Sequence, residues 1–467
     1  MNKSAIQYLA VLFLVLSVNQ VVGQKSWSLE ECINYAYENN IDIKKSIIEV
    51  ESADDDRLQS KLDLLPTLNA SASQSYNFGR NPDPQTNLYE DQQSDNSSFG
   101  ASTDVTLFNG LQKINTIRKT QFDYLATKYN SDKIRNDMSL NVAAGYLQIL
   151  FNIELVKNAE RQVEISQDQI NRTQKQVEAG SVARGSLYDI QAQGASEEAN
   201  LVSAQNRLML AYLDLMQLLD LEASVEFDIQ KPELEITGAP TLLPAEMIYN
   251  KSVTLMPEIK SAEYQVLSAE RSLSIAKGMR SPRLYASGSY GSQYSRQILE
   301  IIGYTPEPEK FPIFGDTKPF DQQLKDNRAG NLFFGLNIPI FNGYQVSTNI
   351  NQTKMYQETV DLNLQAEKLR LRKNIESAHA DAMAAYQTYL ARKKSVEAFR
   401  EAFKYTEEKF NVGMVNSTDY NVSKIQLANA ESDLVSSKFD YIFKTKILDF
   451  YLGKSLTLND IANVTIK

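Results

Sequence analysis

Histidine, cysteine and tryptophan are nearly missing from this chain of 467 residues; each occurs once, as His379, Cys32 and Trp27. One cysteine excludes an internal disulfide framework, and one cysteine with one histidine leaves no ligand set for a metal. No Ser-His-Asp set and no phosphate-cradling glycine loop occurs. Paired acids, Glu30-Glu31 and Glu407-Glu408, are adjacent on helical patterns and so point apart rather than converging on a substrate. Neither an enzyme nor a resident cofactor or metal is expected. The formal net charge is −10, from 48 basic and 58 acidic residues without a basic block, which argues against a nucleic-acid partner. After residue 23 no long uninterrupted apolar run appears. A membrane crossing here requires closed β-strands, because lipid offers no partner to an unpaired backbone amide.

What is present starts with a secretory signal over residues 1–23. Lys3 gives the positive start, Ala10-Val11-Leu12-Phe13-Leu14-Val15-Leu16 the apolar core, and Val21 and Gly23 the small residues at the −3 and −1 positions. The core is too short to span a bilayer, and polar Ser17, Asn19 and Gln20 follow it. Cys32 lies beyond it in a helical pattern, Leu29-Glu30-Glu31-Cys32-Ile33, which suits packing rather than lipid attachment.

The chain is duplicated. Leu64-Leu65-Pro66-Thr67-Leu68 recurs as Arg280-Ser281-Pro282-Arg283-Leu284, Leu107-Phe108-Asn109-Gly110 as Ile340-Phe341-Asn342-Gly343, and Val177-Glu178-Ala179-Gly180 as Phe410-Asn411-Val412-Gly413. The offset is 216 residues at the prolines and 233 at the later marks, so the second half holds 17 extra residues between Pro282 and Gly343. Self-similarity of this kind makes each half one structural unit. We expect a first repeat over 24–225, a linker over 226–256, a second repeat over 257–452 and a C-terminal segment over 453–467. The segments outside the repeats are expected to form a collar.

Four stretches alternate with period two, at about 67–79, 97–109, 283–294 and 330–342. Leu68, Ala70, Ala72, Tyr76 and Phe78 oppose Asn69, Ser71, Ser73, Ser75 and Asn77; Leu332, Phe334, Leu336, Ile338 and Ile340 oppose Asn331, Gly335 and Asn337. Such strands suit a position between lipid and a wet lumen. Tyr76, Phe78, Tyr89, Phe99, Tyr285 and Tyr290 are candidates for an aromatic girdle. The proline-free span from Gly110 to Gly180 predicts a helix about 105 Å long. Its apolar residues recur every seven positions (Val142, Ile149, Val156, Val163, Ile170, Val177), and the second half repeats this at Ile375, Ala382, Tyr389, Val396, Phe403 and Phe410. Heptads pack helices into left-handed supercoils. Further helices are expected over about 29–64, 183–220, 257–279 and 416–452. The predicted fold is mostly α with a membrane β-barrel. Four strands cannot close a barrel and would leave two edges of unpaired amides in lipid. Copies of the chain must share one; two copies give eight strands, a filled interior, and three give twelve, a passage.

In order, duplication and spacing these motifs resemble the TolC-like outer-membrane efflux proteins over nearly the whole mature chain. The opening Trp27-Ser28-Leu29-Glu30-Glu31-Cys32-Ile33-Asn34-Tyr35-Ala36 resembles that family's first helix. Phe108-Asn109-Gly110 and Phe341-Asn342-Gly343 resemble its strand-to-helix corners, and Lys409 to Tyr420 its periplasmic helix turn. The resemblance implies a homotrimer with a twelve-stranded barrel in outer-membrane lipid and long antiparallel coiled-coil helices forming a periplasmic α-barrel. It implies docking to a periplasmic adaptor and an inner-membrane transporter, driven by protons or ATP. It also places the closed end of the tunnel near Gly180 and Gly413. The family's acidic position six residues after the glycine is Asp419 in the second repeat but Ser186 in the first. A second family acid is here Val422, a basic gate residue is Val415, and Phe410 stands at an aromatic gate position. Asp419 and Asp189 are thus the acidic candidates for a pore constriction that includes Ser186, Val422 and Phe410. Gly180, Val182, Ala183, Gly413, Met414 and Val415 are candidate adaptor contacts. A periplasmic coiled-coil scaffold without a pore is the competing reading of the heptads.

Overall fold

The computed structural model describes residues 26–82, 88–91, 93–222, 227–232, 234–236, 238, 242–308, 310–454, 456 and 464–466; the expected signal over 1–23 lies outside them. Strand β1 (Ser26–Trp27) leads into helices α1 (Leu29–Asn39) and α2 (Ile41–Leu62). Strands β2 (Thr67–Asn77), β3 (Arg80–Pro82), β4 (Tyr89–Asp91) and β5 (Ser94–Phe108) follow, then α3 (Gln112–Glu178) and its return α4 (Arg184–Leu218). After β6 (Asp228–Ile229) and β7 (Leu234–Ile236) the series recurs as α5 (Ala245–Leu255), α6 (Pro257–Gly278), β8 (Arg283–Ser295), β9 (Leu299–Tyr304), β10 (Pro312–Thr317), α7 (Phe320–Asp326), β11 (Ala329–Asn337), α8 (Gln345–Asn411) and α9 (Ser417–Tyr451), with β12 (Val464–Ile466) at the end.

The duplication is closer than the motifs imply. Helices α1 and α5 are 11 residues each, α2 and α6 are 22, α3 and α8 are 67, and α4 and α9 are 35. Two expectations change. The helix expected over 29–64 is interrupted at Asn40. Its backbone leaves the helical region (ψ 132°), and its side-chain Oδ1 accepts from the amides of Asp42 (2.9 Å) and Ile43 (3.2 Å), capping α2. The same break in the second half falls at Met256, where Pro257 bars the preceding residue from the α region and opens α6. Helix α5 therefore occupies part of the expected 226–256 linker, as the counterpart of α1.

The chain divides into two compact units. The first comprises residues up to Ile48, Lys128–Lys260 and Ala366 onward. Ser28 opens its first helix with a capping box: its Oγ accepts from Glu31 N (3.1 Å) while Glu31 Oε2 accepts from Ser28 N (2.9 Å). Cys32, Ala36, Ile43, Val142, Tyr146, Ile149, Leu215, Ile229 and Leu456 form its core. Burial pushes the Cys32 thiol up to about 12, so it packs as a small hydrophobe. The Tyr146 hydroxyl donates to Gln230 O at 2.7 Å, tying α3 to the collar segment. That segment pairs β1 with β6 in parallel and β12 with β7 antiparallel. A stretch of α3 is apolar enough by composition to cross a membrane, and half of it is buried inside the protein; in the same helix Val142, Ala143, Tyr146, Leu147, Ile149 and Leu150 belong to the core.

The second unit, Glu49–Thr127 with Ser261–Gln365, holds an antiparallel sheet in the order β11-β8-β5-β2. The register stacks Ala70 on Ala101, Ala101 on Tyr290, Val105 on Ala286 and Ala286 on Phe334, all on one face. Ser73 and Ser98, Ser102 and Ser289, and Ser289 and Asn331 meet on the other. The apolar face along β5 runs from Phe99 to Phe108. At about 3.3 Å per residue and a tilt of about 40° that is about 23 Å of height, matching the hydrocarbon band of an outer-membrane barrel. The fourth strand stops at Asn337, short of the expected 342, because Pro339 has no amide to donate. Tyr285 leaves the list of girdle candidates: it pairs with Gly335 on the polar face, where its ring fills the space over that glycine and meets Phe333 at 5.9 Å.

Each sheet-to-helix corner uses two consecutive left-handed residues, Gly110-Leu111 (φ 68° and 61°) and Gly343-Tyr344 (φ 61° and 69°). Only the first corner is packed: a Cβ at Gly110 would strike Gly278 O and Ser281 Cβ, whereas Gly343 has open space. Gly110→Ala should therefore lower the thermal midpoint of the detergent-solubilised protein well beyond Gly343→Ala, which incurs only the left-handed backbone cost of about 1–2 kcal/mol. Equal losses, followed by circular dichroism, would refute the difference.

Candidate functional site at the helix turns

Two helix turns lie in the first unit, α3 into α4 and α8 into α9. Both end their first helix the same way. Gly180 and Gly413 adopt φ of 73° and 76°, Ser181 N donates to Gln176 O (2.9 Å) and Met414 N to Lys409 O (2.9 Å). This is the left-handed glycine cap that satisfies the last helical carbonyls. The restart differs. Asn416 caps α9 by accepting from Asp419 N at 2.8 Å, while Ala183 supplies no side-chain cap to α4.

The candidate residues separate by direction. Asp419 is exposed in the first turn of α9, where a carboxylate meets the positive end of the helix. Val422 is exposed as well, and Ser186 is half-buried. Asp189 is exposed but engaged: the Ser417 hydroxyl donates to its Oδ2 at 3.0 Å, joining the start of α4 to the start of α9. Phe410 is buried, its ring 4.8 Å from that of Tyr420 and packed with Ile190. It is therefore a packing residue in this conformation rather than one lining a constriction. Val415 packs against the same cluster and is not a free tip. The exposed tip residues are Gly180, Ala183, Val412, Gly413 and Met414, with Val182 half-buried. Burial pushes the Tyr420 phenol up, and its hydroxyl finds no partner among the described residues.

Just above the turns is a cluster that the sequence reading missed. Lys424 of α9 and Glu197 of α4 are 3% and 8% exposed and meet at 2.9 Å. The ammonium also donates to Ser166 Oγ (2.5 Å) and Gln162 O (3.2 Å) of α3. Ser166 donates to Glu197 Oε2, and Gln193 Nε2 to Glu197 Oε1 at 3.0 Å. Desolvation draws the Lys424 pKa below its usual value, opposed by the Glu197 charge. Three helices from both repeats thus converge on one desolvated ion pair. Gly194 makes room beside it: a Cβ there would stand 3.0 Å from Ile170 Cδ1. A signal existed. Tyr420, Lys424, Leu427 and Ala430 follow the spacing of a buried helix face, and so do Ile190, Gly194 and Glu197; a charge at such a position announces a buried partner.

Among the described residues no group of three histidine, cysteine or acidic side chains is placed to hold a metal. Long helical hairpins in one unit and, in the other, a sheet with one lipid-compatible face fit a membrane channel protein with a long α-helical part and a β-barrel portion. The family model described as "Outer membrane efflux protein" matches residues 32–220 and 248–453, and the chain belongs to that family. The second matched segment starts within α5, in keeping with the earlier onset of the second repeat. The protein is similar to the outer membrane protein TolC of Vibrio cholerae serotype O1 (22% identical, 97% of each chain covered) and to the outer membrane efflux protein BepC of Brucella suis biovar 1 (20% identical, 92% of this chain and 85% of that one). Among solved structures, that of CusC superimposes with a TM-score of 0.75 at 17% identity, over 94% of this chain and 96% of that one. This is an outer-membrane efflux duct protein and not an enzyme.

The ion pair carries a prediction. Lys424→Met leaves a buried carboxylate uncompensated, a change that costs about 3–5 kcal/mol in comparable sites, whereas replacing both partners by apolar residues is often neutral. Lys424→Met should sharply lower the thermal midpoint, and Lys424→Met with Glu197→Met should recover most of it. Equal loss in both variants would show that the pair is not the origin.

Proposed function

We propose that three copies of this chain form a passive exit duct that docks through its helix turns to a periplasmic adaptor and, through it, to an inner-membrane transporter. The observation that carries the reading is a set of unfilled seams. Along α8, Met355, Leu362 and Leu369 recur every seven residues and are exposed; Tyr188, Val202 and Met209 on α4 keep a seven-residue phase with Ala195 at the intervening position, as do Ile41, Ile48 and Leu62 on α2 with Asp55 at theirs. The heptads at Val142, Ile149 and Val156, or Ile375 and Ala382, are buried within the chain. A helix in a closed ring has a neighbour on each side and needs two seams. This chain fills one set and leaves the other to further copies. Strands β2 and β11 agree, each pairing on one side only among the described residues.

Asp419, one per copy, would add a three-fold acidic ring, a reading supported by its exposure and by a carboxylate not consumed by an ion pair among the described residues. Adaptor contact falls to the exposed apolar residues Val412 and Met414 rather than to Val415.

Purified in detergent and inserted into a planar bilayer, the protein should run at three times its monomer mass and conduct. Asp419→Ala should reduce block by divalent cations. A monomer that is soluble without detergent and does not conduct would overturn the duct; unchanged block would remove the acidic ring alone. Met414→Asp should weaken copurification with the adaptor, and full retention would exclude contact at that tip.

A further inference from the structure

The loop between β8 and β11, which carries the 17 extra residues, does not end in polar turns alone. Hairpin β9–β10 exposes Ile301, Ile302, Tyr304, Phe311 and Ile313, and α7 exposes part of Phe320. Exposed apolar side chains this dense mark a surface that something covers.

The position of α7 tells what. Its Phe320 ring meets Phe99 edge-on at 6.0 Å and Tyr294 at 5.2 Å. The Ser292 hydroxyl donates to Leu324 O at 2.7 Å. Buried Gln323 clamps the strand end, accepting from Ser295 N (3.0 Å) and donating to Ser295 O (3.0 Å) and Lys318 O (2.8 Å). Phe99, Ser292 and Tyr294 share a sheet face, because Phe99 pairs with Ser292 and Ala101 with Tyr290. That is the apolar face, continuous with Leu332, Phe334 and Leu336. The loop thus folds back over the side of the sheet that meets lipid and away from the polar side that lines the passage.

We propose that residues 299–308 and 310–326 form a bracket that rests in the outer leaflet of the membrane, with the hairpin's apolar side chains and Phe320 in contact with lipid. The proposal rests on the barrel reading above, in which the apolar face is the lipid face. Three ion pairs, Lys318 with Asp326 (2.5 Å), Lys325 with Asp321 (3.5 Å) and Lys310 with Glu307 (3.1 Å), let six of its charges approach a low-dielectric boundary as neutral pairs. The aromatic and aliphatic mix is that of an interfacial segment.

Tryptophan fluorescence tests it. In a Trp27→Phe background, Ile302→Trp and Phe320→Trp report on the bracket, Phe334→Trp on the apolar face and Ser289→Trp on the polar face. The proteins are placed in vesicles of brominated phosphatidylcholine. Quenching at 302 and 320 comparable with that at 334, and absent at 289, is the expected result. Quenching at 334 without quenching at 302 and 320 overturns the bracket and leaves the barrel standing. Blue emission at 302 would then show a neighbouring protein copy as the cover, and red, iodide-sensitive emission would show water. Absent quenching at 334 would overturn the barrel and the bracket together.

Discussion

Strands β2 and β11 leave the molecule with two rows of backbone amides and carbonyls that no other described strand of the same chain meets. In water such edges are a hazard for aggregation; in hydrocarbon each unsatisfied group costs several kcal/mol, and no water relieves it. That single constraint selects the rest. The sheet must close on copies of itself, and closure fixes which face is wet. The wet face is mostly serine, asparagine and glycine, with cross-strand hydrogen bonds such as Ser73 to Ser98 at 2.7 Å and the Tyr285–Phe333 pair as its aromatic exception, and the other is rich in leucine, alanine, valine and aromatic residues. The faces interchange only if the register slips by one residue, and the long β2–β5 pairing from Thr67–Asp104 to Asn77–Ser94 holds that register without a break.

The helical unit meets the same demand by other means. Water satisfies exposed helix surfaces, so nothing forbids an open bundle. In the proposed ring, closure is driven by the second apolar seam on α8, α4 and α2, which is exposed in the single chain. Within the chain, packing at the turns is aromatic, with Phe403, Phe410, Tyr420 and Ile190 together. One turn further, a desolvated Lys424–Glu197 pair holds α9 to the first-repeat hairpin. Such a pair adds little net stability, but its partners tolerate no alternative register, because a slipped helix would bury a bare charge.

Much of this was legible in the sequence for identifiable reasons. Period two and period seven are consequences of strand and helix geometry and survive in the bare order of residues; so do the glycines at left-handed corners. The break at Asn40 was not legible as a helix end because it depends on one amide side chain turning back onto the next helix. Its counterpart at Met256 had a readable sign in Pro257 that the linker assignment passed over. At the turns, resemblance pointed to a segment but not to the direction of its side chains. Phe410 and Val415 occupy positions expected to face a passage, yet both lie on the buried face of their own hairpin. Helical phase, read from Tyr420, Lys424 and Leu427, would have shown this, since three- and four-residue steps keep a side chain on one face.

The duplication itself sets a limit on symmetry. Matching helices of the two halves have equal lengths, so six near-equivalent hairpins would surround the axis of the proposed trimer. Side chains reduce that six-fold frame to three. Asn416 caps one restart and Ala183 leaves the other uncapped; Asp419 faces solvent where the first repeat has Ser186; the Gly110 corner is packed and the Gly343 corner is open. The two turns of one chain are therefore not equally anchored. The second is fixed by its own cap, while the first shares Asp189 with Ser417 and Glu197 with Lys424, both donated from the second repeat. A displacement of α9 must break those two contacts, whereas its own capped start moves with it. These contacts bind the two hairpins to each other, so moving either one alone forfeits both the Ser417–Asp189 hydrogen bond and the buried Lys424–Glu197 pair.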